Sequence, residues 1–345
     1  MIKTDKNILS NYNFIDLFAG IGGFHLALKS FGANCVFASE WDKFASTTYY
    51  ENFGIKPLGD ITKINESEIP THDILCGGFP CQAFSISGKQ KGFEDTRGTL
   101  FFDIARIVNH HKPKVLFLEN VKNLVKHENG KTLEIITNIL KELDYEVFTK
   151  VLNSSNFGLP QNRERLYIIA FHKSIDSSKF SFPSPTNEPI CLGKILENQP
   201  ENAKVIDRDD IEIYKNYTVS SNLFSDIQLL NKPIQIGKVN KGGQGERIYH
   251  PLGHAITLSA HGGGVGSKTG LYLINDKIRK LSPRECARVQ GFPESFILNS
   301  SDTQTYKQFG NSVSVNVLQH ILFEIAKVLN ANSKNLIQTT KLEYA

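Results

Sequence analysis

The sequence predicts an α/β protein built on a doubly wound, mostly parallel sheet with a smaller, irregular second domain, and three observations carry that prediction. From Asn13 to about Ala170, short apolar runs alternate with amphipathic stretches at the spacing of repeated strand–helix units. Several of these runs are almost continuously hydrophobic, as strands covered on both faces should be. After His172 the texture changes, first to dense Ser, Pro and Asn (SPTNEP) and then to a glycine-rich stretch, which marks a linker and a different kind of domain. A chain of 345 residues has room for about two such units. With 40% hydrophobic and 21% charged residues and 13 prolines, it is not a disordered, collagen-like or coiled-coil protein.

The expected strands are residues 14–18 (FIDLF), 35–39 (CVFAS), 73–77 (DILCG), 114–120 (KVLFLEN), 146–152 (EVFTKVL) and 165–171 (RLYIIAF). Between them, FDIARIVNHH and TLEIITNILKEL place apolar residues at helical spacing. Near the end, SPRECARVQGF and SVSVNVLQHILFEIAKVL read as helices, and the polar tail after Asn330 is expected to fray. No internal repeat is present.

The net charge of +4 permits an anionic partner without requiring one. Its distribution says more. Residues 194–229 hold 4 basic and 7 acidic side chains, net −3, whereas residues 230–282 hold 8 basic and 2 acidic, net +6. The basic excess sits beside KGGQGER (241–247) and HGGG (261–264), where glycines let backbone approach a polyanion while Lys and Arg neutralise phosphates. Five cysteines (Cys35, Cys76, Cys81, Cys191, Cys286), without CxxC pairs or neighbouring histidines at metal spacing, argue against a disulfide framework and a metal site and for a reducing compartment. The N-terminal MIKTDKNILSNYNF lacks the apolar core of a leader, and the longest apolar runs fall well short of the roughly 18 residues that span a bilayer. A cytoplasmic protein acting off the membrane is expected.

The first strand runs into DLFAGIGGF (16–24), a glycine turn opening a helix, where Gly20, Gly22 and Gly23 permit close approach of a ligand. The dinucleotide fingerprint fails at its third glycine, replaced by His25. Glu40, about 20 residues on, can accept from ribose hydroxyls, Trp41, the sole tryptophan, can stack on adenine or serve as a core aromatic, and Asp60 can accept from an exocyclic amine. Adenosine held without a pyrophosphate suggests S-adenosylmethionine. Further on, GGFPCQAFS places Cys81 in a loop after a strand, Glu119 ends the next strand, and Arg163 and Arg165 lie two apart in QNRERLY, on one face of an extended backbone. A lone cysteine is more often an inert buried hydrophobe. A thiol, a carboxylate and two arginines beside a methyl donor suit a carbon that must be activated, such as cytosine C5: thiolate addition at C6 and an acid hydrogen-bonded at N3 make C5 nucleophilic.

Taken together, these residues resemble the bacterial cytosine-5 DNA methyltransferases, across nearly the whole chain and in that family's order: DLFAGIGGF, Glu40-Trp41, Asp60-Ile61, GGFPCQ, RGTLFF (97–102), ENV (119–121), QNRER, RECARVQGFP (284–293) and FGNSV (309–313). The resemblance implies a Rossmann-like catalytic domain with a mainly β target-recognition domain. Their expected bounds are 1–193 plus 311–345 for the catalytic part, 194–282 for recognition, and 283–310 for a hinge and connecting helix. It implies Cys81 as nucleophile and Glu119 as the N3 partner, with Arg163 and Arg165 steadying Glu119 and the cytosine. Phe18, Gly20, Gly22, Gly23, Glu40, Trp41, Asp60, Ile61, Pro80, Leu100 and Asn311 would hold S-adenosylmethionine, released as S-adenosylhomocysteine. The likeness extends to one member that methylates the first cytosine of GCGC. By position, Gln244, Arg247, Thr257, His261 and Gly264 would lie on the recognition surface, with Ser85, Ser87, Lys89 and Arg97 of the 82–99 loop meeting DNA. Gln244 and Ser87 would fill the gap left by a flipped base. His261 departs from that member's tyrosine, His254 from an aliphatic residue, and the segment before Gln244 is about seven residues longer. The implied partner is double-stranded DNA, with no metal and no membrane, the protein acting as a monomer and compatible with a companion restriction endonuclease. A tRNA cytosine-5 methyltransferase, or a DNA-binding regulator on the same fold, are the alternatives; a dehydrogenase would need the missing glycine.

Overall fold

The computed structural model describes residues 7–80, 100–186, 188–214 and 232–343, with side chains to residue 333. Six strands form the main sheet: β1 (Asn13–Leu17), β2 (Asn34–Ser39), β3 (Ile74–Gly78), β4 (Val115–Val121), β5 (Tyr145–Asn153) and β6 (Glu164–His172), in the order β2-β1-β3-β4-β6-β5. Each expected strand is present within about a residue at either end. The first four are mutually parallel, but β6 runs antiparallel to both β4 and β5. The reason is the short connection 154–163: a parallel return needs a crossover of a dozen or more residues, whereas this one turns back through a 3₁₀ turn at Ser154–Phe157 and Gly158 at φ 72°.

Alternation along each strand sorts the core into two layers. Phe14, Ile74, Cys76, Val115, Phe117, Tyr167, Ile169 and Phe171 face one side. Ile15, Leu17, Leu75, Leu116, Leu118, Leu166, Ile168 and Ala170 face the other. The second layer is covered by α3 (Leu100–His111) and α4 (Lys131–Glu142), through Ile104, Ile107, Val108, Ile136 and Leu140. The first layer is covered by α1 (Gly23–Lys29) and by a helix from the far end of the chain, so the sheet is wrapped on both faces. A further helix, α2 (Lys43–Phe53), follows β2, its start capped by Asp42, which accepts from the Phe44 and Ala45 amides.

Three more helices follow: α5 (Pro283–Val289), α6 (Asp302–Asn311) and α7 (Val315–Glu343). The last continues past Asn330, where a frayed tail was expected. No Gly or Pro interrupts it, and Tyr12 donates to Leu329 O while Asn332 ties to the backbone of Asp176 on both sides. By length and composition Asp302–Ser333 could cross a membrane, yet 67% of its most apolar window is buried within the protein, where it walls the core.

The second sheet holds β7 (Glu212–Ile213), β8 (Gln235–Lys238), β9 (Arg247–Tyr249), β10 (Leu271–Ile274) and β11 (Lys277–Arg279), in the order β11-β10-β9-β8-β7. Its small core comprises Ile206, Ile236, Val239, Ile248, Leu271 and Ile278. Tyr249, Ala255, Leu258, Tyr272 and Leu281 belong instead to the large cluster under the main sheet. A buried ion pair joins this sheet to α5. Both terminal nitrogens of Arg279 reach Glu285 at 2.8 Å, and Glu285 also caps its own helix by accepting from the Ser282 amide.

Candidate active site

A cleft of about 770 Å³ opens at the carboxyl ends of the main sheet, the place where ligand crevices form in such folds. Phe18, Gly20, Gly23, Glu40, Trp41, Asp60, Ile61, Pro80, Leu100 and Asn311 line it, together with Glu119, Arg163, Arg165 and His261. The turn after β1 is left-handed at Phe18 (φ 54°) and Gly20 (φ 55°). A side chain at Gly20 would meet nothing within 4 Å, so this cradle has free room for a ligand. Gly22 differs from the expectation: it does not line the cleft but starts α1 at φ 84°, where a Cβ would stand 2.1 Å from the Phe53 ring. Its glycine serves packing.

Glu40 is buried at the end of β2, accepting from the Gly20 amide at 2.8 Å and the Asp42 amide at 2.7 Å. Burial raises its pKa, and these amide bonds oppose the rise. Trp41 is 81% exposed, which rules out the core role and leaves an indole face on the cleft wall. Asp60 caps the 3₁₀ turn Ile61–Lys63; hydrogen bonds from the Thr62 hydroxyl and amide hold its pKa below the ordinary range. An open glycine turn, a buried acid and an exposed indole in a cleft of this size fit a nucleoside-bearing methyl donor.

The reacting end is built from β3, β4 and β6. Gly77 passes so close to Leu17 that a Cβ would lie 2.6 Å from that carbonyl oxygen, and the strand continues through Gly78 to Phe79 and Pro80. The side chain of Asn120 donates to Phe79 O at 2.9 Å, tying this turn to β4. Cys81, Ser85, Ser87, Lys89, Arg97 and the rest of the 82–99 loop lie outside the described residues. Glu119 is buried, and Arg165, one diagonal step across the β4–β6 ladder, approaches it with Nε 3.0 Å from Oε1. The contact is ionic without hydrogen-bond alignment, so Oε1 has no hydrogen-bond partner among the described residues. Burial drives the Glu119 pKa up, and the Arg165 and Arg163 charges only partly offset it.

Arg163 departs from its expected contact with Glu119. Its guanidinium is buried on carbonyl oxygens, Nη1 to Leu258 at 3.0 Å and Nη2 to Ser312 at 2.6 Å and Gly310 at 3.3 Å, and it acts on Glu119 through charge alone.

Residues 12–327 match the family of C-5 cytosine-specific DNA methylases. The chain belongs to that family. Over 331 residues this C-5 cytosine methylase is 55% identical to the Type II methyltransferase M.HhaI of Haemophilus parahaemolyticus, spanning 96% of this chain and 99% of that protein. It is 48% identical over 329 residues to M1.ScrFI of Lactococcus lactis subsp. cremoris, spanning 94% and 80%. Among solved structures, the S. pombe Dnmt2 methyltransferase shares the fold at a TM-score of 0.66 and 21% identity, over 93% of this chain and 99% of that one. The Entamoeba histolytica methyltransferase EhMeth does so at 0.63 and 19%, over 92% and 98%. The protein is therefore a DNA cytosine-5 methyltransferase, and its family takes the methyl group from S-adenosylmethionine. Among the described residues of this methylase, no group of three or more His, Cys, Asp or Glu could hold a metal ion.

The glycine clusters of the second sheet meet each other. The loop between β8 and β9 carries exposed Gln244, and Gly266 donates to Gly245 O at 2.7 Å. A Cβ at Gly245 would stand 1.9 Å from Gly263 O, while Gly264 turns left-handed at φ 83°. Arg247 is exposed, its Nε directed to Gly242 O at 3.4 Å. Residues 255–258 leave the sheet and lie along QNRER: Ala255 pairs with Gln161, Leu258 N donates to Gln161 Oε1, and Thr257 Oγ1 donates to Asn162 O at 2.5 Å. His261 thereby reaches the cleft, whereas Gln244, Arg247, Thr257 and Gly264 do not line it.

The +6 read from residues 230–282 shrinks on folding. Arg279 is buried against Glu285, Lys238 pairs with Glu212, and Lys280 is half-buried on Ser267. Sequence reasoning also missed Asn120, Asp16 and Lys307. Asp16 lies wholly buried beneath the glycine turn; Lys307 lines the cleft and pairs with Asp42 at 2.7 Å. A charged residue inside the apolar FIDLF run was the available signal for Asp16.

Proposed function

We propose that this enzyme methylates C5 of a cytosine flipped out of a short duplex site, GCGC being the first choice, as the modification arm of a restriction–modification system in the cytoplasm. The observation that carries this reading is Glu119, a buried carboxyl biased toward its protonated form, sharing one cleft with the open turn at Gly20 and the exposed face of Trp41. S-adenosylmethionine, held by Phe18, Gly20, Glu40, Trp41, Asp60 and Asn311, would supply an electrophilic methyl group.

This chain's residues do the rest. Extrusion of the base, costing a few kcal/mol, exposes C6. The Cys81 thiolate adds there while Glu119 gives a proton to N3, so negative charge does not accumulate in the ring. Arg165 fixes the Glu119 carboxyl at the end of the β4–β6 ladder. C5 would then take the methyl group, leaving the donor as its neutral thioether; loss of the C5 proton to solvent expels Cys81 as the thiolate that entered, and N3 returns its proton to Glu119. We take residues 1–193 with 311–345 as catalytic, 194–282 as recognition and 283–310 as the connection, with Gln244, Arg247, Thr257, His261 and Gly264 serving DNA and the protein acting as a monomer.

Bisulfite sequencing of plasmid from a host expressing the chain tests site and target base together. The expected result is protection of the first cytosine of GCGC. Cys81→Ala should abolish protection yet still retard duplex DNA in a gel; methylation surviving in that variant would overturn the covalent step. Methyl transfer to tRNA but not to duplex would favour the tRNA alternative.

A further inference from the structure

Buried guanidinium groups ordinarily face carboxylates, because a desolvated charge needs compensation. Arg163, 3% exposed, is held instead by three carbonyl oxygens from two distant segments, and its Nε has no partner among the described residues. Leu258 ends the stretch laid along QNRER, and three residues on His261 enters the cleft. Gly310 and Ser312 flank Asn311, which lines the cleft and on the functional reading above helps hold the cofactor. The following Val313 packs so tightly that a Cβ at Gly23 would stand 2.5 Å from it. The two segments also touch directly, since a Cβ at Gly310 would lie 2.2 Å from the Ala260 amide nitrogen. A parallel tie runs beside Arg163: Gln161 reaches Gln290, which reaches Phe309 O and Ser314.

We propose that Arg163 is a positioning residue that couples DNA engagement to cofactor binding. One planar fork grips the carbonyls of both segments, so a displacement of residues 258–261 by a duplex is passed to residues 310–313, and the reverse. This inference rests on the functional reading above and changes the role expected of Arg163, which acts on the two binding sites and not on the cytosine. Lysine can keep the buried charge but not the fork, so it should break the coupling while sparing the fold.

The test measures binding of S-adenosylhomocysteine by equilibrium dialysis, with and without a short duplex carrying the site found by bisulfite sequencing. For the wild type, the duplex should tighten binding by about 5- to 150-fold, the usual span of coupled sites. In Arg163→Lys and Arg163→Met the factor should fall toward unity. Should the Met variant fail to fold, as judged by its thermal melt, the Lys variant alone decides. An unchanged coupling factor, or a parallel loss of affinity with and without DNA, overturns the proposal, as does a wild type that methylates DNA yet shows no coupling. A wild type that methylates nothing would instead sink the functional reading.

Discussion

At the carboxyl edge of the main sheet, Glu40 and Glu119 stand at the ends of β2 and β4, buried, whereas in the second sheet Gln244 and Gly264 stand on exposed loops and Arg247 is exposed at the first residue of β9. The first arrangement raises the carboxyl pKa by burial and holds the side chains in place; the second presents polar groups outward on backbone that packs against backbone, Gly245 on Gly263. On the proposed function, chemistry common to every turnover would sit on rigid strand ends, and the reading of a particular sequence on exposed side chains whose substitution disturbs little packing.

The sharpest way to strain this contrast is Glu119→Gln, which keeps shape and removes the proton offered to N3; methyl transfer should fall by about 10²- to 10⁴-fold in a tritium assay. Because burial raises the Glu119 pKa, the wild-type rate should decline as pH climbs through that raised value, and the Gln variant should lack this limb. A variant of normal rate would reduce Glu119 to a scaffold. Arg279→Met asks whether a basic residue counted with the recognition surface contacts DNA. Stranding buried Glu285 should cost about 3–5 kcal/mol in urea unfolding while leaving the salt dependence of DNA binding unchanged. A shallower salt slope would mark a phosphate contact instead.

Arg247→Ala should cost about 1–3 kcal/mol at one base pair of the site if its guanidinium reads guanine. A uniform loss over all sequences would move it to the backbone-contact class. The smallest effect concerns Asp16, whose pKa burial raises well above the ordinary carboxylate value. The folded state keeps this proton while the unfolded chain releases it, so its contribution is full at low pH and is lost as pH rises from the unfolded value through the folded one. Asp16→Asn should therefore gain on the wild type in urea midpoint between pH 5 and pH 8; parallel profiles would show that Asp16 does not titrate differently on folding.

Much of this was legible in the sequence where local pattern determines position. Near-continuous apolar runs located all six main strands, and Glu40 and Glu119 could be placed because each follows such a run directly. Direction and partner choice were less legible. The reversal of β6 depends on the length of one connection, and Arg163 and Arg165 look equivalent in QNRER although only the latter meets Glu119. Gly22 looks like a ligand glycine until Phe53, 31 positions away, fills the space beside it. The exposed charge of residues 230–282 was overcounted for the same reason, since Glu285, which neutralises Arg279, lies beyond the segment in which the charge was counted.

The wall supplied by α7 has a consequence for biosynthesis. Tyr12 beside β1 bonds to Leu329, 317 positions later. At roughly 5–20 residues per second, about 16 to 63 seconds separate the emergence of these partners from the ribosome. Throughout that interval the Phe14 face of the sheet has α1 over it but not α7, leaving apolar surface open to chaperones and neighbouring nascent chains. Slow translation or a premature stop near the end should thus yield aggregation-prone chains without a closed catalytic core, so that few half-made molecules bind DNA unproductively.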